Sequence, residues 1–151
     1  MRQSFTLVTI FLAISTLGSC MAEKEALPTP TVPGPTVMGK GTEIETWNYF
    51  GPDATQSIPA PSSNIRDVGN EVYEARLIQT ENGFDIVWGQ MRCATQPTVI
   101  VYADATIEFW PGDIVGEDCE AAELFHKLTV TWHTNVPFGQ WDFIFHPPQR
   151  D

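Results

Sequence analysis

The chain has 151 residues and carries 19 Asp and Glu against 8 Lys and Arg, a formal net charge of −11 at pH 7. A field of that sign repels phosphate backbones and anionic headgroups, which argues against nucleic-acid binding and against a polybasic membrane clamp. It suits cationic partners or divalent cations, and it equally serves to keep a domain soluble beside an anionic surface.

Met1 and Arg2 make a short basic start, and Phe5 to Leu17 an apolar run. The run has the length of a signal h-region and is short for a membrane span of about 20 residues. Leu17-Gly18-Ser19-Cys20 follows it. This tetrapeptide resembles the lipobox of bacterial lipoprotein precursors, and the resemblance covers this segment alone. It implies cleavage before Cys20, acylation of Cys20 by palmitate-type chains, and a lipid anchor on the extracytoplasmic side of a bacterial cell envelope. An ordinary secretory cut after Ala22 is the alternative, and it would release a soluble protein beginning at Glu23.

Removing Cys20 from the three cysteines leaves one pair, Cys93 and Cys119. An oxidising compartment is expected to join them, closing a loop of roughly 27 residues worth roughly 3 to 4 kcal/mol of chain entropy.

Residues 1–19 therefore read as a signal peptide, 20–41 as a lipid-anchored Pro/Thr-rich linker and 42–151 as one extracytoplasmic domain. In the linker, Leu27-Pro28-Thr29-Pro30-Thr31-Val32-Pro33-Gly34-Pro35 has no hydrophobic period, and its prolines remove amide donors. Gly34 to Gly41 falls one residue short of a Walker A motif, because Gly41 stands where the magnesium-binding Ser or Thr is required.

The domain has the periodicity of strands. Ile44 to Phe50 supplies a first one. In Glu71 to Gln79, Tyr73, Ala75 and Leu77 share a side opposite Glu74 and Arg76; Asn82-Gly83 offers a tight turn, and Phe84, Ile86 and Trp88 line the return strand. Val99, Val101, Ile107 and Phe109 bracket Ala103-Asp104-Ala105 as a second hairpin. Leu124 to Thr134 reads as a long strand with Leu128, Val130 and Trp132 inward, and the turn at Asn135 to Gln140 leads to Trp141, Phe143 and Phe145. His146-Pro147-Pro148 ends that strand, since proline cannot extend a ladder. Helix is confined to a turn within Cys119 to Phe125. The expected fold is all-β, an antiparallel β-sandwich of six or seven strands, immunoglobulin-like or jelly-roll-like.

Chemistry-bearing patterns are sparse. His126 and His133 are seven apart and fall on opposite faces of a strand, so they cannot share a metal. His126 has the parity of Leu128 and Val130 and reads as a core histidine bonded to backbone. His146 sits at a strand end, and a zinc site from His133, His146 and a carboxylate is geometrically open. No H-E-x-x-H, C-x-x-C pair or G-x-S-x-G elbow occurs. Asp113, Glu117, Asp118 and Glu120, followed by Glu123, form an acidic loop chemically suited to calcium but without EF-hand spacing; no other cofactor is implied.

Face parity sorts the aromatics. Trp88, Trp132 and Trp141 belong with the core. Trp110 falls with Thr106 and Glu108 on the opposite face from Phe109, and Trp47 and Tyr49 alternate with the face of Ile44 beside Glu43 and Glu45. Trp47, Tyr49, Trp110 and Glu108 are the expected ligand-binding residues, of the kind that meets sugars or peptide segments. The sequence thus reads as a binding or scaffolding module that recognises an envelope protein or glycan through an aromatic and acidic surface, rather than as an enzyme. The alternatives are a small envelope hydrolase using Asp104 and Glu108, and an inhibitor of exported proteases presenting the loop Pro52 to Ser63.

Overall fold

A computed structural model describes residues 34–116 and 123–149. Among them are nine strands: β1 (Thr36–Lys40), β2 (Thr46–Asp53), β3 (Ile65–Asp67), β4 (Ala75–Thr80), β5 (Gly83–Met91), β6 (Thr98–Tyr102), β7 (Thr106–Trp110), β8 (Glu123–Thr131) and β9 (Asp142–Phe145). One 3-10 turn, Phe138–Gln140, is the helical element of the described residues. It falls in the segment expected to turn, whereas Glu123 to Phe125 is strand. The signal segment, most of the linker, and Glu117 to Ala122 lie outside the described residues.

The strands form two sheets, β1-β6-β7-β9 and β2-β8-β5-β4-β3. The five-stranded sheet is antiparallel throughout. The four-stranded sheet is not: β6 and β7 pair as the expected hairpin, but β1 runs parallel to β6 and β9 parallel to β7. The expectation of a wholly antiparallel sandwich is corrected by these two edges. Neither is joined to its partner by a hairpin, since β1 runs on into β2 and β9 follows β8, both of the other sheet, so local hairpin geometry does not set its direction.

Alternation explains why the two sheets face each other. Val99 and Val101 on β6, Ile107 and Phe109 on β7, Phe84, Ile86 and Trp88 on β5, Ala75 and Leu77 on β4, and Leu128 and Val130 on β8 are all buried in one cluster. Period-2 side chains put each set on one face. Trp88 meets Phe109 across the sandwich edge-to-face, with ring centroids 4.9 Å apart. Trp132 and Trp141, buried just outside their strands, pack at 5.0 Å and both approach Phe84. Their indole N–H groups are satisfied by Thr42 Oγ1 and the Val136 carbonyl, as buried tryptophans require.

Two local readings are revised and one strand is added. Thr36–Lys40, expected to close the linker, is an edge strand because β6 supplies a ladder for it and Val37 reaches the core. The β4–β5 turn is Glu81-Asn82 rather than Asn82-Gly83, since Thr80 pairs with Gly83. β3 has three residues, too few to show a period.

His126 is buried as expected, and its Nδ1 lies 2.9 Å from the Tyr49 hydroxyl. Cys93 is disulfide-bonded, and both other cysteines, Cys20 and Cys119, lie outside the described residues.

Candidate functional site

Odd and even residues of the four-stranded sheet have opposite fates. While Val37, Val99, Val101, Ile107, Phe109, Phe143 and Phe145 point inward, their neighbours build an outer face in rows set by the register. One row crosses Met38, Ile100, Glu108 and Ile144; the next crosses Thr36, Thr98 and Trp110, with His146 one step beyond Phe145.

A polar chain spans this face. Lys40 Nζ lies 3.4 Å from the Tyr102 hydroxyl and 5.1 Å from its ring centroid. Tyr102 donates to Glu108 Oε1 at 2.8 Å, and Glu108 Oε2 lies 3.2 Å from His146 Nε2. The imidazole of His146 then stacks on Trp110, with centroids 4.0 Å apart and planes 2° from parallel. Strands β1, β6 and β7 and the residue following β9 contribute, and Met38 and Ile144 remain exposed beside the chain.

The stack fixes the direction of the indole. Neighbouring strands lie about 4.8 Å apart, so two rings on adjacent strands can be parallel at 4.0 Å only if both stand upright with their planes facing along the row. One face of Trp110 is therefore covered by His146. The other looks toward β6, where a depression of about 390 Å³ is lined by Thr95, Gln96, Thr98, Ile100, Trp110, Gly112 and Asp113.

The rim of this groove is held rigidly. Thr95 N–H donates to the Asp113 carbonyl at 2.8 Å, and Asp113 N–H donates to Thr95 Oγ1 at 2.7 Å. Asp113 Oδ1 accepts from Gln149 N–H at 3.0 Å. Gly112 adopts φ 100°, and a Cβ there would run into the Thr95 carbonyl oxygen. Only glycine lets the two segments approach so closely. Behind it, buried Gln90 donates to the Gly112 carbonyl and accepts from the Trp88 indole N–H.

The expected site residues divide accordingly. Trp110 and Glu108 share the outer face, and Asp113 joins Trp110 at the groove. Tyr49 does not belong there: it packs against the core, burial pushes its phenol pKa up, and its hydroxyl is held by His126. Trp47 is 40 % exposed, on the other sheet, against Gly34. Glu117, Asp118 and Glu120 of the acidic loop lie outside the described residues. No group of three or more His, Cys, Asp or Glu that could hold a metal occurs among the described residues. The two histidines of the zinc alternative have separate partners, His133 with Glu45 at 3.4 Å and His146 with Glu108.

Asp104, offered as a hydrolase carboxylate, accepts from Thr106 N–H at 3.1 Å in the β6–β7 turn. In the loop offered as an inhibitor segment, Asp53 accepts from the Thr55 hydroxyl, Thr55 N–H and Gln56. These bonds, the Thr55 hydroxyl first, hold the Asp53 carboxyl below its ordinary pKa.

Gln96 and Thr98 are not among the expected site residues, and His146 enters the expectations only as a zinc ligand. His146 shares the parity of Ile144, which marks it as outward, but its place beside Trp110 depends on the parallel β7–β9 pairing.

Compared with known proteins, the chain matches no family model, no curated protein and no solved structure.

Proposed function

We propose that the chain is a lipid-anchored, extracytoplasmic binding module of a bacterial envelope, tethered through Cys20, that captures an envelope ligand or partner without covalent chemistry. The architecture is read as immunoglobulin-like or jelly-roll-like, a kind of scaffold that presents binding surfaces on sheets and loops. The observation that supports the reading is Trp110, whose indole is braced by His146 and opens its free face onto the groove. An aromatic with its rotamer locked by a neighbour is preorganised for recognition, because little conformational entropy is lost on binding. The 15 residues between Cys20 and Thr36 limit the domain to about 50 Å from the anchored cysteine.

Two measurements test this. Mass spectrometry of the mature N-terminus is expected to find acylated Cys20, and an unmodified start at Glu23 overturns the anchor. Capture from envelope extracts is expected to recover a partner with the wild-type protein and with His133→Ala, and to lose it at least tenfold with Trp110→Ala. Capture that survives Trp110→Ala, with folding confirmed by circular dichroism, overturns this face as the binding surface.

A further inference from the structure

The groove beside Trp110 has a mixed chemistry that narrows its ligand. One wall is the open face of an upright indole. Ile100 lines it but is already 9 % exposed, so little further apolar area is available for burial. The remaining side chains are Thr95, Gln96, Thr98 and Asp113. A flat apolar ligand would leave these polar groups desolvated and unpaired, at roughly 1 to 3 kcal/mol each.

Gln96 supplies an independent sign. Its Oε1 is shut off from solvent and has no hydrogen-bond partner. Such orphaned carbonyls are rare in folded proteins and call for an explanation. A hydroxyl donor brought into the groove, with a rotation of the amide, would satisfy it. Thr95 Oγ1 accepts from Asp113 N–H and keeps its own proton to donate, and Asp113 Oδ2 retains accepting capacity beside the backbone-bonded Oδ1.

Building on the binding-module reading, we propose that this groove is a saccharide subsite that takes a neutral pyranose ring. The ring's C–H face stacks on Trp110, where the electron-rich indole face attracts the weakly positive C–H edges. Its hydroxyls donate to the Asp113 carboxylate and bond to Gln96, Thr95 and Thr98, side chains that both donate and accept, as a ring of hydroxyls needs. Asp113 and the net charge of −11 disfavour uronates, sialates and phosphorylated sugars. The volume of about 390 Å³ falls within the roughly 300 to 1,000 Å³ of small-ligand sites, room for one ring of a longer chain.

The test titrates the full mature protein with cellohexaose, maltohexaose and chitohexaose, and with trigalacturonate as the charged control, by calorimetry and tryptophan emission. At least one neutral hexasaccharide is expected to bind and shift the emission. Affinity should fall at least tenfold in Trp110→Ala and in Thr98→Tyr, which fills the groove while keeping the indole. Trp47→Ala should bind as wild type, and trigalacturonate at least tenfold more weakly. Absence of binding by all three neutral sugars, or binding that survives both groove variants, overturns the saccharide proposal. If an envelope protein is then still captured in a Trp110-dependent way, the broader reading stands; if that capture is also insensitive to Trp110, both fall.

Discussion

The hydroxyl of Tyr49 lies 2.9 Å from Nδ1 of His126, joining the edge strand β2 to an imidazole in the middle of the core. Trp88 stacks against both rings, with centroids 5.3 Å from His126 and 6.2 Å from Tyr49. Nε2 of His126 is buried without a hydrogen-bond partner. A second proton on this ring would place a charge in an apolar stack, so burial, the larger influence, holds the His126 pKa below its ordinary 6.5, partly opposed by the backbone of Gln90.

Acid should therefore loosen this domain through His126. Below about pH 6.5 the unfolded chain takes up a proton on this histidine while the folded chain does not, so stability is fully present above that pH and is lost as pH falls through the window beneath it. Thermal melts followed by circular dichroism between pH 7 and pH 5 should show a falling midpoint. His126→Gln, which cannot titrate, should flatten the fall, and a variant curve parallel to wild type would assign the acid sensitivity elsewhere. Tyr49→Phe leaves the imidazole nitrogen unpaired and should cost roughly 1 to 3 kcal/mol at neutral pH.

Gly83 opens β5 at φ 151°, and a Cβ there would overlap the carbonyl oxygen of Val130 and the amide of Trp132. Those are backbone atoms of the neighbouring chain segment and cannot swing aside. Gly83→Ala should lower stability by roughly 2 to 4 kcal/mol. Gly51→Ala and Gly139→Ala, where a Cβ meets nothing within 4 Å, should stay within about 0.5 kcal/mol. Urea denaturation of the three variants makes the comparison, and equal costs would refute the steric account.

Cys93 is disulfide-bonded, and the expected partner is Cys119, leaving Cys20 for the acyl chain. Peptide mapping under non-reducing conditions should return a fragment joining Cys93 to Cys119. A Cys20 to Cys93 fragment would overturn both assignments. Reduction should remove about 3 to 4 kcal/mol, the loop-closure entropy of roughly 27 residues, read as a lower midpoint in urea.

The strands β4 to β8 were legible because the side-chain period of a strand is a local property. Leu77, Phe84, Ile86, Val99, Ile107, Leu128 and Val130 announce their shared inward face from within a few residues of sequence, and all are buried. Trp110 was separated from Phe109 on the same ground. Tyr49 is the exception. Its expected parity rests on Ile44, but Ile44 precedes β2, and alternation holds only within a strand. Both residues pack against the core.

The sequence by itself determined the all-β class, the β4–β5 and β6–β7 hairpins, the core tryptophans and the outward face of Trp110. Those follow from alternation and turn chemistry, which act over a few residues. Only the tertiary structure decided which strands became neighbours. β1 and β9 take their places by parallel pairing with strands in distant parts of the chain, and a ladder of backbone hydrogen bonds, blind to side-chain identity, leaves no local mark of its partner. That is why Trp110 was visible as an outward aromatic, while the His146 ring that braces it, 36 positions later, acquired its role only when β9 docked beside β7.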